Sequence, residues 1–140
     1  MTAKEYLEQI KYIDTQIHFL EREIKRWKEM SVRVSGSNFE PHYNPNHVTE
    51  ATFIKCLDKI EELEKKLQEK VEELVVLKAE ILNNLYTACT VEQRTVLMLR
   101  FIDSYSTADI VKEMYRSQSW VYQVQHDGLE ALDTHLKKSL

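Results

Sequence analysis

Residues 90–132 read TVEQRTVLMLRFIDSYSTADIVKEMYRSQSWVYQVQHDGLEAL. Three helix starts lie in this stretch. Thr90 and Gln93 form a T-x-x-Q capping box, in which the hydroxyl and the amide side chain satisfy backbone N–H groups that a helix start leaves free. Val91, Val96, Leu97, Leu99, Phe101 and Ile102 then give one short apolar helix. Asp103, Ser104 and Tyr105 make a turn. Ser106 and Asp109 repeat the capping pattern as S-x-x-D, and the helix from Thr107 to about Met114 turns Ile110, Val111 and Met114 inward. Tyr115 and Arg116 form a tight turn, after which Ser117 is a good N-cap for a last helix. That helix buries Val121, Val124, Leu129, Leu132 and Leu136. Two short helices, a short turn and a third helix opening at a serine are the pattern of a helix-turn-helix.

In such a unit the last helix enters the major groove with its N-terminal side chains on base edges. The outward positions here are Gln118, Ser119, Tyr122 and Gln123, with His126 one turn on. Gln pairs with adenine in bidentate fashion, and Ser can donate to either purine. Arg100, Lys112 and Arg116 are placed to meet phosphate. The same outward residues also read as a solvated helix face. Trp120 is expected to pack on the N-terminal helices or on a partner.

Working outward, the long N-terminal part has a different rhythm. Ile10, Ile17 and Ile24 are seven apart, and Tyr6, Ile13, Leu20 and Trp27 follow the same spacing three residues later. That is an a/d heptad seam, which predicts an amphipathic helix from Thr2 to Met30. Residues 31–47 hold both prolines and one of the two glycines, so a long loop is expected there, with Phe39 and Tyr43 available to pin it. Helix resumes near Val48 and runs to about Thr87. Phe53, Ile60, Leu67, Leu74 and Ile81 repeat every seven residues, while Lys70 and Asn84 interrupt the companion position. Leu57, Val71, Val75, Leu82 and Leu85 widen the stripe beyond a two-stranded seam. The predicted arrangement is all-α: a long antiparallel, coiled-coil-like helical hairpin over 1–88, then a helix-turn-helix domain over 89–140. The extra width leaves room for a second hairpin, so a homodimer is expected; a monomer whose wide face meets the C-terminal part is the alternative.

Composition narrows the function. With 2 Gly and 2 Pro in 140 residues, a many-stranded fold lacks its usual turn formers. Uninterrupted apolar runs, such as 74–77, reach only four residues, far short of the roughly 20 of a membrane helix, and the acidic N-terminus does not resemble a signal peptide. A soluble, cytoplasmic protein is expected. Cys56 and Cys89 are too far apart for a zinc motif and read as small hydrophobes. His42 and His47 lack further ligands nearby, so no metal is expected. Phosphate loops, HExxH and GxSxG are missing, which argues against an enzyme and against a cofactor. The net charge is −4. Residues 91–140 hold six basic and seven acidic side chains, a weak balance for a unit meant to neutralise phosphate.

The run from Val91 to Ile102 resembles the opening of sigma-factor region 4. The run from Ser106 to Met114 resembles its scaffold helix, and Ser117-Gln118-Ser119-Trp120-Val121-Tyr122 the S-x-x-T-V-Y start of its recognition helix, with Leu129 and Leu132 as the closing leucines. The whole chain outside 31–47 is also similar to small prophage proteins of Gram-positive bacteria that open with Met-Thr-Ala-Lys-Glu-Tyr-Leu, related to phage late-gene transcriptional regulators. The turn departs from the pattern. Gly or Asn is usual where this chain has Tyr115, and a Tyr at positive φ is strained, so a rebuilt turn is expected. Gln123, Asp127 and Glu130 stand where the family tends to carry Arg or Lys. The resemblance implies a transcriptional regulator of a phage or prophage that binds DNA, and the wide stripe of the hairpin suits action as a dimer. Ser117 would cap the recognition helix, Gln118, Ser119, Tyr122 and Gln123 would read bases, and Arg100, Lys112 and Arg116 would hold phosphate. Its alternatives are an adaptor that contacts RNA polymerase or another phage protein without DNA, and a packaging protein of the small-terminase kind.

Overall fold

A computed structural model describes residues 1–36 and 46–139. Among these residues the fold is all-α. The elements are α1 (Ala3–Gly36), α2 (Asn46–Ala88), α3 (Val91–Leu97), α4 (Thr107–Met114) and α5 (Gln118–Lys138). The chain from α3 continues as a wider π turn, Met98–Ile102, in which the Asp103 N–H reaches back to the Met98 carbonyl at 3.1 Å.

Both long helices exceed the expected bounds. Residues 31–36 and 46–47, read as loop, are helical. The sequence Ser-Val-Arg-Val-Ser contains no helix breaker, and Ser31 returns its hydroxyl to the Lys28 carbonyl at 2.7 Å. A β-branched residue lowers helix propensity by only a few tenths of a kcal/mol, whereas Gly costs about 1, and α1 runs on to Gly36. Phe39, Tyr43 and His42 lie outside the described residues.

Compactness divides the molecule across the long helices. One unit holds Met1–Asp14 with Leu74–Leu140, the other Thr15–Glu73. In the second unit, Ile17 and Ile24 of α1 and Cys56, Ile60 and Leu63 of α2 are buried, all positions of the heptad stripes. Lys28 of α1 pairs with Glu64 of α2 at 3.3 Å. Leu57 and Val71, which widen the stripe, stay exposed.

The first unit carries the C-terminal helices and two apolar clusters. The larger joins Ala3, Tyr6, Leu7 and Ile10 of α1, Ile81 and Leu85 of α2, Cys89, Leu97 of α3 and Leu132 of α5. Leu85 therefore turns inward, while Val75 on the same helix is 62% exposed. The smaller cluster is Val96, Ile110 and Val121, with Leu99, Met114, Trp120 and Val124 packed around it. Each fully buried Val, Leu or Ile side chain contributes on the order of 1.5–3 kcal/mol. Asn84, which interrupts the heptad, donates to the Tyr6 hydroxyl at 2.9 Å and faces His135 Nε2 at 3.3 Å. Burial, the largest influence, raises the Tyr6 phenol above its usual range, so the hydroxyl stays neutral.

Candidate nucleic-acid interface

Three capped helix starts build the C-terminal site. Thr90 Oγ1 accepts from the Gln93 N–H at 3.3 Å, and Gln93 Oε1 accepts from the Thr90 N–H at 3.1 Å. Ser106 Oγ accepts from the Asp109 N–H at 3.2 Å, and Asp109 Oδ2 accepts from the Ser106 N–H at 3.3 Å. Both boxes are complete. At α5, Ser117 Oγ accepts from the Trp120 N–H at 3.1 Å. Ser117 thus fixes where the last helix begins, as its sequence position predicts.

The turn between α4 and α5 is not rebuilt. Tyr115 itself takes the left-handed conformation, with φ 54° and ψ 42°, and its side chain is 92% exposed. Its N–H still closes α4 on the Val111 carbonyl, and the Arg116 N–H reaches the same oxygen at 3.3 Å. An L-residue other than Gly pays about 1–2 kcal/mol for this geometry. The two capped helices on either side hold it there, and the Tyr ring projects into solvent without a clash.

Trp120 does not wait for the long helices or a partner. It packs on the Val96–Ile110–Val121 cluster, and the Arg116 guanidinium lies 5.0 Å from its ring centroid. That distance suits a cation–π contact. Arg116 is therefore held at the mouth of α5 by its neighbour.

All seven proposed contact residues, Arg100, Lys112, Arg116, Gln118, Ser119, Tyr122 and Gln123, are exposed. Gln118, Tyr122 and Arg100 converge. The Tyr122 phenol is lowered below its usual 10.0, with the Gln118 side chain the largest influence, then Thr107, and the Arg100 charge the smallest. Thr107, at the first position of α4, has no mark in the sequence that singles it out. Arg100 is braced by its own hydrogen bond to the Tyr105 carbonyl at 3.0 Å. Ser119 and Gln123 lie one turn apart along the outer stripe of α5. Gln123 spends its amide N–H on Asp127 at 2.9 Å, and His126 pairs with Glu130 at 3.0 Å. His126, Asp127 and Glu130 bring one potential metal ligand each to within 4.8 Å of one another. The sequence spacing marks no such group, because only one of the three is a His and none is a Cys.

Arg94 meets the Tyr86 ring at 4.4 Å, so this basic side chain is engaged where α2 passes into α3. Asp109 serves the Ser106 cap and Asp133 accepts from the Ala3 N–H at 3.2 Å. Asp109 and Asp133 are thus tied to backbone N–H groups, beside Asp127 and Glu130, which engage side chains of α5. No helix among the described residues is long and apolar enough to cross a membrane.

A segment of 49 residues, 35% of the chain, is 43% identical to the ECF RNA polymerase sigma factor SigX of Bacillus subtilis (strain 168). The match spans 25% of that protein's length. No family model matches the chain, and no solved structure matches it.

Proposed function

We propose that this chain is a transcriptional regulator of a phage or prophage, working through binding and not catalysis. In this reading α4 and α5 form a DNA-binding helix-turn-helix, and two copies associate through the long helices. The observation that carries it is the capped start of α5, where Ser117 sets the helix and Gln118, Ser119, Tyr122 and Gln123 are exposed together. The partial identity with a sigma factor supports the same assignment. Gln118, Ser119, Tyr122 and Gln123 read base edges, while Arg100, Lys112 and Arg116 hold phosphate. Pairing multiplies a weak individual affinity through effective concentration. The exposed Leu57 and Val71, both in the Thr15–Glu73 unit, give a second copy apolar surface to cover.

The test is binding to duplexes selected from a random pool by the full chain. Gln118→Ala with Gln123→Ala is expected to lower affinity for the selected sequence about tenfold or more, since a bidentate base contact is worth roughly 1–3 kcal/mol. Binding to scrambled duplex should change little. Absence of any DNA complex at low salt, with the protein folded, sinks the reading. Light scattering at tens of micromolar reports the dimer; a particle of 16.6 kDa rejects it.

One observation favours the adaptor reading as the second choice. Asp127 and Glu130 engage Gln123 and His126 on the outer stripe of α5, which places acid where phosphate would approach. An adaptor would bind RNA polymerase and show no DNA complex.

A further inference from the structure

A cleft of about 160 Å³ is lined by Glu8, Lys11, Arg100, Phe101 and Ser104. It belongs wholly to the unit formed by Met1–Asp14 and Leu74–Leu140. Two of its walls are cations on different elements: Lys11 comes from α1 and Arg100 from the π turn after α3, and both are exposed. Its size is several times the roughly 30 Å³ of a water molecule in the liquid, room for one phosphate group. Glu8 is the acid in the wall, and Lys4 stands 3.9 Å from it.

Three facts tie this cleft to the base-facing residues. Arg100 has its guanidinium anchored on the Tyr105 carbonyl, so its position is set by the turn and not by a free stem. Its charge is felt at the Tyr122 hydroxyl, beside Gln118. The start of α1 is fixed on the same body, since Ala3, Tyr6, Leu7 and Ile10 share one apolar cluster with Leu97 and Leu132. Lys11 is one residue past Ile10, so its place relative to α5 is set by that packing. Ser104, at φ 58°, adds an exposed hydroxyl and backbone at the rim.

We propose that Lys11 and Arg100 form a phosphate clasp, so that α1 contributes directly to the DNA contact. This rests on the DNA-binding reading above and extends it to the long helix. The clasp holds a backbone phosphate flanking the bases that α5 meets, and Ser104 donates to the same phosphate. A contact of this kind positions the protein and carries no sequence information.

The experiment uses the full chain, fluorescence anisotropy, a labelled duplex selected by the wild type, a scrambled duplex, and a series of salt concentrations. Lys11→Gln is expected to weaken both complexes by the same factor, about three- to tenfold at low salt, and to lower the salt slope by about 1. Lys11→Arg restores both. Lys138→Gln, an equal loss of charge at the far end of α5, is expected to change affinity less. Unchanged affinity and slope in Lys11→Gln, while Arg100→Gln weakens binding, overturn the clasp and leave the DNA reading standing. Failure of Lys11→Arg to restore binding also overturns it, because the effect would then be one of shape and not charge. A wild-type chain that binds neither duplex overturns the DNA reading and the clasp with it.

Discussion

The Asp133 carboxylate of α5 accepts a hydrogen bond from the Ala3 backbone N–H, at 3.2 Å across 130 residues of sequence. A helix start leaves its first N–H groups without partners, and an anion there also meets the positive end of the helix dipole. Thr2 serves another of these donors, accepting from the Glu5 N–H at 3.2 Å. Asp133 in turn is held by Lys137 at 3.3 Å. The last helix therefore caps the first one. Asp133→Ala is expected to lower stability by about 0.5–2 kcal/mol, the usual range for a lost cap, as read by urea denaturation. Equal midpoints for variant and wild type reject the cap.

Gly128 sits where α5 meets α3. A Cβ there would stand 3.0 Å from Leu97 Cδ1 and 3.2 Å from Gln93 Cβ. Leu97 is wholly buried and has little room to yield. Ala is the better helix former by about 1 kcal/mol, but overpacking a close contact typically costs about 1–3 kcal/mol. Gly128→Ala is expected to lower the melting temperature by a few degrees; a rise shows that α5 can shift away from α3. The Gly128 carbonyl also accepts from Cys89 Sγ at 3.5 Å, and burial raises the Cys89 thiol above its ordinary pKa. Its labelling by thiol reagents is therefore expected to be slow until the protein unfolds.

Tyr115→Gly removes the backbone strain at φ 54° and loses little packing, because the ring is 92% exposed. The expected outcome is a gain of about 1 kcal/mol, with Gly able to take the left-handed cap freely. No gain in thermal or chemical denaturation rejects strain at this turn. DNA affinity should stay within about twofold if the ring makes no contact, since 1.4 kcal/mol would be needed for a tenfold change.

Asp109 is held below its usual carboxylate pKa, chiefly by the Ser106 hydroxyl and then by the Ser106 N–H. A depressed folded-state pKa stabilises the fold above the unfolded pKa of about 3.9 and loses that contribution as pH falls through the lower folded value. Asp109→Asn is therefore expected to melt below wild type at neutral pH, with the gap closing as the pH drops below about 4. A gap independent of pH rejects the ionised cap.

Much of the site was legible because its signals are local. Thr90, Ser106 and Ser117 announce their helices through hydrogen bonds that close within three residues. Ile10, Ile17 and Ile24 expose their burial through spacing alone. Other residues gave no such signal. Asn84 reads as a flaw in a heptad and is the link between Tyr6 and His135. Thr107 reads as an ordinary helix residue and helps to lower the pKa of the Tyr122 phenol. Trp120 reads as packing on the N-terminal helices or on a partner and is engaged by its own cluster and by Arg116.

The amino-acid sequence alone determined the helical class, the capped starts of α3, α4 and α5, and the buried stripes of α1 and α2. These follow from interactions between residues a few positions apart, whose geometry is the same wherever the helix sits. Tertiary structure decided which distant residues meet. It placed Asp133 on the start of α1, Lys11 beside Arg100, and the Gly128 backbone against Leu97. It also made Tyr115 adopt the left-handed turn, because packing of α4 and α5 on a shared cluster outweighs a local cost of one or two kcal/mol.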